Sequence, residues 1–256
     1  MTAQLTDTLD RDVTIRAPRD LVFKFFTDTP RWAAWWGAGS KIDARVGGDV
    51  LIVYPGGTEA GGKILELDPP KKIVFSYGYV KGVPIALGES RVAIQLESVR
   101  EGTRVHLHHA FAEAEVRNHH VQGWRYQLSL FSNVVSNETH ANAAAAVDAW
   151  FAMWSEPNAD VRHRELDRIS ASDLTMFDRF STIYGIDDAR AHIDAVHQHM
   201  PGSVLRRDGD VQHCQGQLLA KWTVAGADGQ PRGTGTNVFL LDADGRIQSV
   251  TGFWNG

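Results

Sequence analysis

The sequence predicts two α+β domains in tandem, and three observations carry that reading. The chain has 256 residues, 43% hydrophobic and 22% charged, a globular composition at a length more typical of two domains than one. Residues 11–112 alternate apolar and polar in the manner of strands, with a long helical stretch after them. Beyond residue 136 the order reverses, with helices first and strands last. Two domains of about 130 residues would each bury roughly two-thirds of their chain surface, enough for two independent cores.

The first ten residues, "MTAQLTDTLD", are expected to be a disordered tail. After them "DVTIR", "SKIDAR", "DVLIVY", "GGKILEL", "KKIVFSY", "SRVAIQLES" and "TRVHLHHAF" read as strands, separated by the turn clusters "GG", "DPP" and "EG". One early helix interrupts them. In "APRDLVFKFFTD", Pro18 sits where a first helical turn tolerates it, and Val22, Phe25 and Phe26 follow at helical spacing. A second helix, over about Val116 to Val135, puts Val116, Trp124, Leu128 and Phe131 on one stripe. A curved antiparallel sheet around one long helix is the economical arrangement.

In the second half "ANAAAAVDAWFAMW", "VRHRELDRIS" and "IDDARAHIDAVHQHM" read as helices, and "DLTMFDRF" as a short extended piece. The strands "GSVLRRDGDVQ", "QLLAKWTVAG", "GTGTNVFLLD" and "GRIQSVTGFW" follow, joined by "GADGQP" and "DADG". The domain boundaries expected are therefore 1–10, 11–136 and 137–256.

Composition excludes several function classes. Cys214 is the single cysteine, so no internal disulfide forms and a reducing compartment suits the chain. Residues 1–136 carry 16 Lys+Arg against 15 Asp+Glu and the remainder 10 against 16; with no basic field to hold phosphates, no nucleic-acid partner is expected. The N-terminus has acidic residues where a signal peptide would be basic, and the longest apolar stretch, about 14 residues, contains Asp148. A cytoplasmic location without membrane insertion is the expectation. The histidines of "HLHH", "HH" and "HQH" come without a cysteine pair or a motif such as HExxH, so no metal site and no cofactor are expected. "GTGTNV" leads into a strand rather than a helix and lacks the helix N-terminus that holds a phosphate.

The motifs "VTIRAPRDLVFKFFTDTPRWAAWW", "DARVGGDV", "GGKILELDPPKKIVFSYGY" and "RNHHVQGWRYQLSLF" resemble, in order and spacing, the family named for the activator of the heat-shock protein 90 ATPase. That resemblance covers residues 11–136 and implies a START-like helix-grip fold of the SRPBCC superfamily, with a hollow between sheet and helix for apolar ligands. "LTMFDRFSTIYGIDDARAHI" and "GTNVFLLDADGRIQSVTGFW" resemble the SnoaL-like branch of the nuclear transport factor 2-like superfamily and imply a cone-shaped α+β domain. That superfamily hosts isomerases, cyclases, dehydratases and inert dimerisation modules, so the resemblance does not fix an activity.

Eight tryptophans divide evenly, four per half. In "PRWAAWWG", Trp32 and Trp36 share a helical face with Trp35 beside them. Trp32, Trp36 and Trp124 are read either as core or as contacts of an apolar ligand. In the second half Trp150, Trp154, Trp222, Phe239 and Trp254 are the ligand-contact candidates, because alternation places Asn237, Phe239 and Leu241 on one face with Trp254, Gly252 and Val250 on the matching face of the next strand. The resemblance to steroid isomerases of the same superfamily puts Asp178 at their general base, Asn237 at their donor acid and Trp254 at a pocket aromatic. Their donor tyrosine has no counterpart; Tyr184 or an indole N–H is the substitute. A carboxylate facing hydrogen-bond donors takes a proton next to a carbonyl and stabilises the resulting oxyanion. The alternative for Asp178 is a turn carboxylate bound by backbone N–H groups. The expected function is binding, and transformation by isomerase-, cyclase- or dehydratase-type proton transfer, of a hydrophobic small molecule. The alternative is a non-catalytic binder or a homodimer joined through the C-terminal sheet.

Overall fold

The computed structural model describes residues 4–255. The chain consists of two compact units that divide between Ser136 and Asn137. In the first, the elements are β1 (Asp7–Ile15), α1 (Arg19–Lys24), α2 (Thr29–Trp36), β2 (Lys41–Ile42), β3 (Asp49–Val53), β4 (Glu59–Asp68), β5 (Lys72–Tyr79), β6 (Ser90–Val99), β7 (Gly102–Phe111) and α3 (Ala114–Thr139). The strands form one antiparallel sheet in the order β1-β7-β6-β5-β4-β3-β2.

The expected tail is disordered nowhere from Asp7 onward, because residues 7–10 already belong to β1; residues 1–3 lie outside the described residues. The cause is local. Asp10 and Asp12 stand directly across from His108 and His106, and both pairs bond, at 2.7 and 3.0 Å. Opposite polar partners on the solvent face and Leu9, Val13 and Ile15 on the other make this stretch an edge strand.

The stripe on α3 lies against the sheet, with Trp124, Leu128, Phe131 and Val135 buried. Phe26 meets Phe131 at 4.8 Å and Trp35 meets it at 4.9 Å. Helix α2 starts where the Asp28 side chain accepts the Arg31 N–H at 3.1 Å. His109, turned inward from β7, is fully buried in a polar chain whose sense is fixed. The Trp124 indole donates to Nδ1 at 2.9 Å, so His109 carries its proton on Nε2 and donates to Ser90 Oγ at 2.9 Å; Ser90 in turn donates to the Tyr77 carbonyl at 2.9 Å. Burial, reinforced by the nearby His120, holds the His109 imidazole well below its usual range and keeps it neutral.

The second unit contains α4 (Ala143–Met153), α5 (Ala159–Ile169), β8 (Ser170–Phe177), β9 (Thr182–Tyr184), α6 (Ile186–His199), β10 (Val204–Cys214), β11 (Gln217–Ala225), β12 (Pro231–Leu241) and β13 (Ile247–Trp254). Its sheet runs β10-β11-β12-β13-β8-β9. Strand β8, the short extended piece of the sequence, pairs in parallel with β13 through Val250↔Met176 and Thr251↔Phe177. That pairing brings the end of β8 beside the end of the chain. Helices α4, α5 and α6 share one core with the inner face of the sheet, through residues such as Trp150, Phe151, Leu166, Ile193, Phe239 and Val250. No helix among the described residues is long and apolar enough to cross a membrane.

Candidate functional site

The inner face of the second sheet does not meet the helices everywhere. Between them lies a cavity of about 430 Å³, bounded by β8, α6 and β11–β13 and lined mainly by apolar side chains, among them Trp150, Trp154, Trp222 and Trp254. Its volume is in the range of small-molecule sites. A larger groove over α4 and β10 is a poorer candidate, because it lies open and is occupied by the Arg207–Asp148 ion pair at 2.6 Å.

Asp178 enters the cavity from the turn that follows β8. The turn is closed by the Asp178 N–H bonding to the Ser181 carbonyl at 3.0 Å. The carboxylate is used asymmetrically. Oδ1 accepts three bonds, from the Phe180 N–H at 2.7 Å, the Ser181 N–H at 2.7 Å and the Ser181 hydroxyl at 2.6 Å. Oδ2 has no such bond among the described residues, and Asp178 is part of the cavity lining. Oδ1 is thus a turn acceptor.

Asn237, on β12, is 6% exposed. Its Oδ1 accepts the Trp222 indole N–H at 2.8 Å. Gly252, on β13, lies between Asn237 and Asp178. A Cβ there would stand 3.1 Å from Asp178 Cβ and 3.2 Å from Asn237 Oδ1, so the missing side chain leaves the two polar groups sharing one floor. Trp222 and Trp254 meet edge to face at 4.7 Å, and Phe180 caps Trp254 at 5.2 Å. Trp154 also lines the cavity, and its indole N–H has no partner among the described residues.

Asp178, Asn237, Trp150, Trp154, Trp222 and Trp254 are therefore brought together. Five other candidates are not. Tyr184 points away: it is 66% exposed on β9, edge-on to Phe177 at 5.6 Å, because alternation along a three-residue strand gives the inner face to Ile183. Phe239 is inward as expected but lies beneath the cavity, edge-on to Trp150 at 6.0 Å and to Phe151 at 6.1 Å. Trp32, Trp36 and Trp124 are core. Trp32 is 5.5 Å from Trp36, and Trp36 is 5.6 Å from Trp124, with Trp35 tilted against Trp36 at 4.2 Å. The Trp32 indole donates to the Leu51 carbonyl at 3.0 Å, fastening α2 to β3. None of Trp32, Trp36 and Trp124 lines the cavity of the second unit.

Ser181, Phe180, His192 and Met200 also line the cavity and were not singled out in the sequence. A signal existed for Ser181, His192 and Met200. "DRFS" spaces a carboxylate and a hydroxyl for a hydrogen-bonded turn, and His192, Val196 and Met200 recur every four residues, one face of α6 and the segment after it.

The first unit is thus a long helix held by an antiparallel sheet, and the second a six-stranded sheet with a mainly apolar cavity. Residues 16–136 match the family model described as Activator of Hsp90 ATPase homolog 1-like protein, and the first unit is a domain of that type. No curated protein matches the chain. Among solved structures, a protein from Agrobacterium tumefaciens provisionally described as an isomerase of the SnoaL-like family is 25% identical, with 46% of this chain and 99% of that one covered and a TM-score of 0.43. An AHSA1-like protein from Rhizobium etli is 27% identical over 50% of this chain and 81% of its own, with a TM-score of 0.42. The Aha1 dimer from Colwellia psychrerythraea is 21% identical over 48% and 91%, also with a TM-score of 0.42.

Proposed function

We propose that the second unit is a SnoaL-like, nuclear transport factor 2-like domain that binds an apolar small molecule carrying a carbonyl group, and that Asp178 removes a proton from the carbon beside that carbonyl. Isomerisation, cyclisation and dehydration share this first step. The observation that carries the reading is the division of labour within one carboxylate: three donors hold Oδ1, Oδ2 takes no such bond among the described residues, and Asp178 lines a mainly apolar cavity. A base held in one orientation beside an apolar chamber acts on a neutral, water-excluded substrate. The cavity lining includes no lysine or arginine, which disfavours an anionic substrate next to Asp178. An N-terminal domain of the activator-homologue type is in keeping with a protein that handles hydrophobic ligands.

The test uses β-tetralone, a two-ring ketone with an acidic benzylic position beside its carbonyl, and follows loss of the benzylic proton signal in deuterium oxide by NMR. The protein should accelerate exchange, and Asp178→Asn should remove about 10²- to 10⁴-fold of that acceleration. Asparagine keeps an oxygen for the turn donors, so the fold is retained while the base is lost. Equal exchange by wild type and Asp178→Asn would exclude Asp178 as the base.

One observation favours a second, compatible reading, a homodimer through the C-terminal sheet. The face turned away from the cavity carries Phe177, Tyr184 and Phe253, all exposed. Sedimentation velocity over a concentration series should then show a dimer that Phe253→Ser weakens; a monomer at all concentrations refutes it.

A further inference from the structure

We infer that Trp222 is a positioning residue: its indole N–H fixes the sense of the Asn237 amide, so that the cavity presents N–H donors to the ligand and selects an oxygen that accepts hydrogen bonds, as a ketone or an enolate does. The inference rests on the proposed reading of the cavity and adds the residue that sets its polarity.

An amide can face either way, and in this site its sense follows from chemistry. The indole N–H is only a donor, so the Asn237 atom 2.8 Å from it must be the carbonyl oxygen. The NH₂ group is thereby turned to the remaining side. Asn237 is nearly buried, lines the cavity, and its NH₂ has no hydrogen-bond partner among the described residues. A ligand oxygen in the cavity can accept the bonds that this NH₂ otherwise makes to water.

The surroundings are arranged so that Trp222 can reach. In the antiparallel pairing, Trp222 lies across from Gly235 and Ala220 across from Asn237, so the indole must lean along β12 to meet the amide two residues away. Gly235 permits that, because a Cβ there would lie 2.3 Å from Trp222 Cζ2 and 2.6 Å from Cε2. Ala220 is too small to compete for the amide. On the other side Gly252 keeps the space over Asn237 and Asp178 open. Asn237, through its Oδ1, and Asp178 thus flank one glycine, and the charge that develops on a carbonyl oxygen bound to the Asn237 NH₂, when the neighbouring carbon loses its proton, meets a donor already in place.

The experiment measures binding of β-tetralone by calorimetry and the stretching frequency of its carbon-13-labelled carbonyl by difference infrared spectroscopy. In the wild type the stretch should lie at lower wavenumber than in hexane, the mark of donated hydrogen bonds. Trp222→Phe should move it back toward the hexane value and weaken binding about tenfold, and Asn237→Leu should do the same. The double variant should bind no worse than Asn237→Leu alone, because the indole acts only through the amide. An unchanged stretch in Trp222→Phe overturns the inference, as does a full further tenfold loss in the Asn237→Leu background, which would make Trp222 a packing residue. Should Trp222→Phe fail to fold, 3-benzothienylalanine at 222, which keeps the bicyclic shape without the N–H, decides between the same outcomes. A wild type that binds no β-tetralone overturns the cavity reading itself, a result distinct from both.

Discussion

Two glycines separated by one strand pairing should respond to the same substitution in opposite ways. A Cβ at Gly252 would stand 3.1 Å from Asp178 Cβ and 3.2 Å from Asn237 Oδ1, a few tenths of an ångström inside ordinary contact. Both neighbours border the cavity and can retreat into it. Replacing a strand glycine by alanine gains about 0.5–1 kcal/mol of backbone entropy, and mild crowding costs about as much, so Gly252→Ala should leave stability within about 1 kcal/mol of wild type. It should nevertheless remove most of the β-tetralone exchange, because the methyl group occupies the floor between Asp178 and Asn237. At Gly235 the Cβ would stand 2.3 Å from Trp222 Cζ2 and 2.4 Å from the Phe253 carbonyl oxygen. An ångström or more of movement is needed, and one obstacle is backbone of the paired strand. Overpacking of this kind costs about 1–3 kcal/mol, a fall of about 3–10 °C in the melting transition of a domain of this size. Scanning calorimetry beside the exchange assay separates the two effects. Loss of stability in Gly252→Ala with exchange intact would refute the placement of the site, and an unmoved transition in Gly235→Ala would refute the placement of the indole.

Other consequences follow from the first unit. His109 is held neutral by burial, so as pH falls the unfolded chain, with a pKa near 6.5, takes up the proton first. Stability should be flat above about pH 6.5 and fall below it by up to about 1.4 kcal/mol per pH unit for this group; His120, also lowered by burial, acts in the same sense. Urea midpoints at pH 8 and pH 5.5 check this, and equal midpoints would contradict it. Asp28→Ala removes the cap that starts α2 and should cost about 1 kcal/mol, seen as a lower urea midpoint with the tryptophan near-ultraviolet signal retained in the folded state.

Much of the fold was legible from patterning, because burial of one strand face or one helix stripe imposes its period on the sequence. The stripe Trp124, Leu128 and Phe131 and the inward set Asn237, Phe239 and Leu241 are both where alternation puts them. Asp178 and Asn237 are candidates through the resemblance to the steroid isomerases, and alternation adds only that Asn237 faces inward. Which rings would surround empty space could not be read from either. Trp32 and Trp36 look no different in sequence from Trp222 and Trp254, yet only the second pair lines the cavity. The difference depends on how far apart sheet and helices stand, a distance set by all the side chains of the layer together rather than by any one of them. The parallel pairing of β8 with β13 is likewise a long-range event, and it alone brings Asp178 to Gly252 and Asn237. The free oxygen of Asp178 and the sense of the Asn237 amide belong to the same category. Each is fixed by hydrogen bonds whose partners, Ser181 and Trp222, acquire meaning only once the chain has closed around them.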